Sequence, residues 1–127
     1  MANLRHQNLV AWQRADDLFI SLHRISVQHF PTFERFELGS QLRRAAYSVA
    51  ANIVEGISRR HVRDRLRFFN IAEASLAEAQ YCVHVARRLG YVSDGMLEEL
   101  NRSFSGVGAP LAGLIRITKQ SRTVSDY

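Results

Sequence analysis

The sequence predicts an all-α protein, an antiparallel up-down-up-down four-helix bundle, on three observations. Apolar residues recur at intervals of three and four rather than two, the period of a helix with one buried face. Only two prolines and seven glycines occur, and they stand mostly where the periodic stretches should stop. Four such stretches joined by short connections run antiparallel to their neighbours. The 127 residues suffice for one domain with a real core and no disulfide or metal. That core is expected over about 9–118, with a flexible C-terminal tail over about 121–127.

The first helix is expected over 9–29, with Trp12, Ala15, Phe19, Leu22 and Ile25 facing inward. Phe30-Pro31 ends it, because the residue before a proline is pushed out of the α region. A second helix over 37–55 turns Leu42, Ala45, Val49 and Ile53 to the core, with Gly56 as its stop. The third spans 62–89 and turns Leu66, Phe69, Ala72, Leu76, Ala79, Val83 and Ala86 inward. Arg87 and Arg88 suit the negative end of its dipole, and Gly90 supplies a left-handed cap. Ser93 or Asp94 caps the fourth helix, and Glu98 and Glu99 sit in its first turns. Leu97, Leu100, Phe104, Val107, Leu111, Leu114 and Ile115 continue the core face. Gly108-Ala109-Pro110 is expected to kink or break this last helix.

Charge is distributed unevenly over such a bundle. Net charge is +5, and of 17 basic residues only Lys119 is not arginine. Arginine's planar fork suits bidentate contact with phosphate or carboxylate. Up-down topology gathers both termini and the second turn at one end. Arg5, Arg14, Arg59, Arg60, Arg63, Arg65, Arg67, Arg116, Lys119 and Arg122 lie there against Asp16, Asp17, Glu55, Asp64 and Asp126. The other end is balanced, so the whole net charge falls on the first. A positive run at a helix start opposes the macrodipole, so local stability does not explain it. Arg59, Arg60, Arg63, Arg65 and Arg67 are therefore the candidate nucleic-acid-binding residues, with Arg116 and Lys119 contributing. Arg43 and Arg44 are second choices. The alternatives are a scaffold that docks an acidic partner protein without nucleic acid, and a solvated helix start with no partner.

The sequence carries no recognisable catalytic motif. No histidine follows a glutamate at the i+3 spacing of di-metal bundles, and neither a P-loop nor a nucleophile elbow occurs. Cys82 stands among Ala79, Val83 and Ala86, the setting of a buried, inert thiol. The expectation is a non-enzyme with no catalytic residue, metal or cofactor. A single cysteine, no apolar signal core and no membrane-length apolar run point to the cytoplasm and away from membranes.

The second helix carries ten residues without a charge, Ala45-Ala46-Tyr47-Ser48-Val49-Ala50-Ala51-Asn52-Ile53-Val54. Small residues on several faces suggest close packing on more than one side, against the core and against either a neighbouring subunit or crowded partner helices. Arg44, Ser48, Asn52 and Glu55 share one stripe. In an antiparallel hairpin Arg44 approaches Ser75 and Glu78, and Glu55 approaches Arg63 or Arg65. The stripe reads as a structural polar network fixing register.

Gln41-Leu42-Arg43-Arg44, that charge-free run and Glu55-Gly56 strongly resemble the signature of a bacterial four-helix-bundle family. It includes the 23S rRNA intervening-sequence proteins and the accessory variability proteins of diversity-generating retroelements. Phe30-Pro31 with Glu34, Phe69-Asn70-Ile71-Ala72-Glu73-Ala74-Ser75-Leu76-Ala77-Glu78, and Leu89-Gly90-Tyr91 support the match over about 9–114. Gly108-Ala109-Pro110 departs from it. The resemblance implies a homo-oligomer, a pentameric barrel of bundles. Retroelement members resemble basic barrels that bind their reverse transcriptase and nucleic acid, which implies a role accessory to such an enzyme.

Overall fold

A computed structural model describes His6 and residues 9–121, with four helices in chain order. They are α1 (Val10–Gln28), α2 (Leu38–Ser58), α3 (Val62–Arg88) and α4 (Asp94–Gln120), and a 3-10 turn at Thr32–Glu34 joins the first two. Contacts run α1 to α2, α2 to α3, α3 to α4 and α4 back to α1, closing the four-helix bundle. Among the described residues no helix is long and apolar enough to cross a membrane. Of the tail expected over about 121–127, residues 122–127, with Arg122 and Asp126, lie outside the described residues, as does Arg5.

The inward residues expected on α2 and α3 are all buried, and Leu22, Leu42, Ile53, Phe69, Phe104 and Leu111 are among the largest fully enclosed side chains. Burial of one such side chain contributes about 1.5–3 kcal/mol, so this seam holds the bundle. On α1 the buried stripe is Ala11, Ala15, Leu18, Leu22 and Ser26. Trp12, Phe19 and Ile25, expected to face inward, pack against the core and are half-buried. Small Ala11 and Ala15 let α1 approach its neighbours, and the bulky rings fill the edges.

Two chain-break expectations are corrected. Gly56 does not stop α2, which continues to Ser58. It lies in the helix against the Phe69 ring, and an added Cβ would stand 2.4 Å from Phe69 Cε1. The glycine is there for close approach of α2 and α3. Nor does Gly108-Ala109-Pro110 break α4, which runs through Pro110 to Gln120. Proline has no N–H for the carbonyl four residues earlier, here Gly106. Arg14 of α1 supplies the missing donor, its Nη1 lying 3.0 Å from Gly106 O. Two other boundaries follow expectation: Gly90 has φ +81°, and the Ser93 side chain caps α4 by accepting from the Met96 amide.

Candidate nucleic-acid interface

The arginine-rich edge is built where α2 gives way to α3. Arg59 takes an extended backbone conformation that ends α2. Its carbonyl accepts from Arg65 Nε at 2.8 Å, which ties the turn to the first turns of α3. Because α2 continues past Gly56, Arg59 falls one turn after Glu55, and the two pair at 3.1 Å. Both side chains are about half exposed, at 46% and 52%, so the pair is worth no more than about 0.5 kcal/mol. The expected partners of Glu55, Arg63 and Arg65, are not taken.

Phe68, which the sequence reading passed over, is the other organiser of this edge. The Arg59 guanidinium carbon lies 4.8 Å from its ring centroid and that of Arg67 lies 5.5 Å away. Such contacts fix guanidinium orientation without neutralising charge. Its signal was an aromatic ring directly after Arg67 at the start of a basic helix. Arg60, Arg63 and Arg67 are exposed, with no hydrogen-bond or ion-pair partner among the described residues. Arg65 is half-buried and serves the turn.

Arg63, Arg67 and Asn70 follow each other at helical spacing on α3. Asn70 in turn shares an open groove with Glu73 and with Arg116 and Lys119 of α4. The structure thus brings the α4 cations beside the α3 stripe, with one carboxylate among them. Arg14, counted at this end, instead serves the Gly106 carbonyl.

The polar stripe on α2 forms in its middle only. Ser48 Oγ and Ser75 Oγ lie 2.7 Å apart, linking α2 to α3. Asn52 Nδ2 donates to both the carbonyl and the hydroxyl oxygen of Ser48, at 2.8 and 2.9 Å. Arg44 and Glu78 line one groove but form no ion pair among the described residues. Arg43, the second-choice cation, donates to Ser26 Oγ and to the Arg35 carbonyl at the other end of the bundle.

Cys82 is buried, and burial, with the nearby Glu78 carboxylate, holds its thiol above the usual range, which disfavours the reactive thiolate. Among the described residues no group of three His, Cys, Asp or Glu side chains is placed to hold a metal ion.

The sequence pattern of the 23S rRNA-intervening sequence protein family matches residues 7–113. No curated protein matches the chain. A similar fold occurs in the crystal structure of a protein of unknown function from the S23 ribosomal protein family of Bacteroides thetaiotaomicron VPI-5482. That chain superposes with a TM-score of 0.78 at 20% identity, over 84% of this chain and 96% of its own. At that identity the likeness speaks for the fold.

Proposed function

The chain belongs to the 23S rRNA-intervening sequence protein family, and from that premise we propose a non-enzymatic, homo-oligomeric bundle that binds nucleic acid through its arginine-rich end. One observation carries the reading: Arg60, Arg63 and Arg67 present three exposed guanidiniums without a carboxylate partner among the described residues. Clustered cations of this kind gain affinity by releasing counterions from phosphate backbones. The Phe68 stacking of Arg59 and Arg67 lowers the entropy lost when those side chains bind. The family's description points to ribosomal RNA as the first ligand to try.

The oligomer part of the reading, a pentamer in its most specific form, rests on the α2–α3 face. Tyr47 of α2 is 61% exposed, edge-on to Phe19 of α1, and Tyr81 of α3 is 66% exposed, while Ala51 and Val54 of α2 are half-buried. In its finest form the proposal sets the bundle beside a nucleic-acid enzyme such as a reverse transcriptase.

The test is binding of the purified chain to structured RNA and duplex DNA across a salt series, with its mass measured by light scattering. A fall of log K with log salt of about 0.9 per phosphate neutralised on duplex DNA is the expected result. The triple variant Arg60→Glu, Arg63→Glu, Arg67→Glu should abolish it. No binding at low salt by a folded oligomer would retire the reading and leave a scaffold docking an acidic partner in its place.

A further inference from the structure

We propose that the pocket between the end of α1 and the start of α2 binds a small organic oxyanion, a carboxylate or phosphate ester on a compact apolar body, anchored by Arg43. The pocket encloses about 370 Å³, within the range of small-ligand sites. Arg35, Arg43, His23, Ser26 and Thr32 supply its polar lining, and Phe30 and Pro31 part of its apolar lining. It lies near the α1–α2 turn, away from the nucleic-acid edge, and does not depend on that reading.

Arg43 is held in place before any ligand arrives. Its Nη1 donates to Ser26 Oγ at 3.0 Å and its Nη2 to the Arg35 carbonyl at 2.7 Å. Gly39 leaves the space the guanidinium occupies, since a Cβ there would stand 2.9 Å from Nη1. Both acceptors are neutral, so the charge is positioned but not compensated, and most of the five guanidinium N–H groups remain available.

The acid–base make-up of the walls separates this pocket from three other grooves. Arg116 and Lys119 share theirs with Glu73, Arg44 shares its groove with Glu78, and Arg14 and Arg102 lie with Asp17 and Glu99. No carboxylate lines the α1–α2 pocket. Glu34 in the adjoining turn is committed elsewhere, accepting from Tyr91 Oη at 2.8 Å and from the Leu38 amide. A fixed guanidinium facing a partly apolar cavity that holds a second arginine and a histidine but no carboxylate is a complement for one oxyanion.

The experiment is calorimetric titration of the full chain with benzoate and with phenyl phosphate, at ionic strength matched with chloride. Saturable one-to-one binding of one probe is expected, and the tighter probe identifies the oxyanion. Binding should persist in the Arg60→Glu, Arg63→Glu, Arg67→Glu variant, which separates it from the basic edge. Arg43→Gln should weaken it about tenfold or more, the effect of a charge-assisted contact. Val27→Trp, an exposed change on the pocket wall, should block it without touching Arg43, and covers the case in which Arg43→Gln unfolds. Absence of saturable binding by both probes, or unchanged affinity in Val27→Trp and in folded Arg43→Gln, overturns the proposal.

Discussion

The two ends of this bundle differ in how their turns use arginine, although each also carries exposed arginines, Arg24, Arg88 and Arg102 at the α1–α2 end. At the α1–α2 end Arg43 is bound by a hydroxyl and a carbonyl, and Arg87 pairs with Asp94 across the α3–α4 turn. At the α2–α3 end Arg59 and Arg65 take part in the turn, while Arg60 and Arg63 are left to solvent and Arg67 meets only the Phe68 ring among the described residues. Like charges on neighbouring turns repel, and positive charge at a helix start opposes its dipole. Folding accounts for the first set of arginines and is opposed by the second. On the function proposed above, an anionic partner would supply the missing compensation.

The sharpest way to break this contrast is to reverse three charges at each end. Arg60→Glu, Arg63→Glu and Arg67→Glu should lower affinity for structured RNA about a hundredfold or more at low salt. Arg24→Glu, Arg88→Glu and Arg102→Glu, also exposed sites, make the same change in net charge and should leave most of that affinity. Equal losses by fluorescence anisotropy would mean that net charge alone attracts the ligand.

A second prediction separates packing from charge at the basic end. Gly56→Ala pushes a methyl into the enclosed Phe69 ring and should cost about 2–3 kcal/mol in urea unfolding. An unchanged midpoint would show that the α2–α3 approach is looser than described.

A smaller loss is expected at the other end from Tyr91→Phe, which removes the donor to buried Glu34. That bond, with burial, also raises the Tyr91 hydroxyl above the usual tyrosine range. A raised folded value means its contribution is fully present below the unfolded value near pH 10 and lost as pH rises through the folded one. Tyr91→Phe should therefore lower the thermal midpoint near neutrality and remove this part of the alkaline decline. A midpoint unaffected at neutral pH would leave the pair without a structural role.

The smallest effect is the most discriminating. Arg63 sits in the first turn of α3, where a carboxylate is favoured by about 0.3–1 kcal/mol. Arg63→Glu should raise stability slightly while lowering nucleic-acid affinity. A variant that loses both would place Arg63 in the fold rather than at an interface.

Particular residues show how far the sequence could be read. The inner faces of α2 and α3 were legible because a buried stripe repeats every three or four residues over many turns. The stripe on α1 was legible in period and in part in place, since Ala15 and Leu22 are buried as expected, but close packing put Ala11 and Leu18 inside where the bulkier Trp12 and Phe19 were expected. At the candidate interface the cluster was visible as composition. The division of labour within it was not, since Arg65 serves a carbonyl and Phe68 lies under Arg59 and Arg67.

By itself, then, the sequence determined four helices, their order and the excess of positive charge near the second turn. Those are properties of short windows and sums, which need no knowledge of distant partners. Only the tertiary structure decided that Gly56 is a contact point, that α4 passes through Pro110, and which arginines remain unpaired. Each depends on a partner atom brought close by folding, and the Arg14 bond to Gly106 spans 92 residues of chain. No local rule carries that information, because a missing backbone donor looks the same in sequence whether or not another helix replaces it.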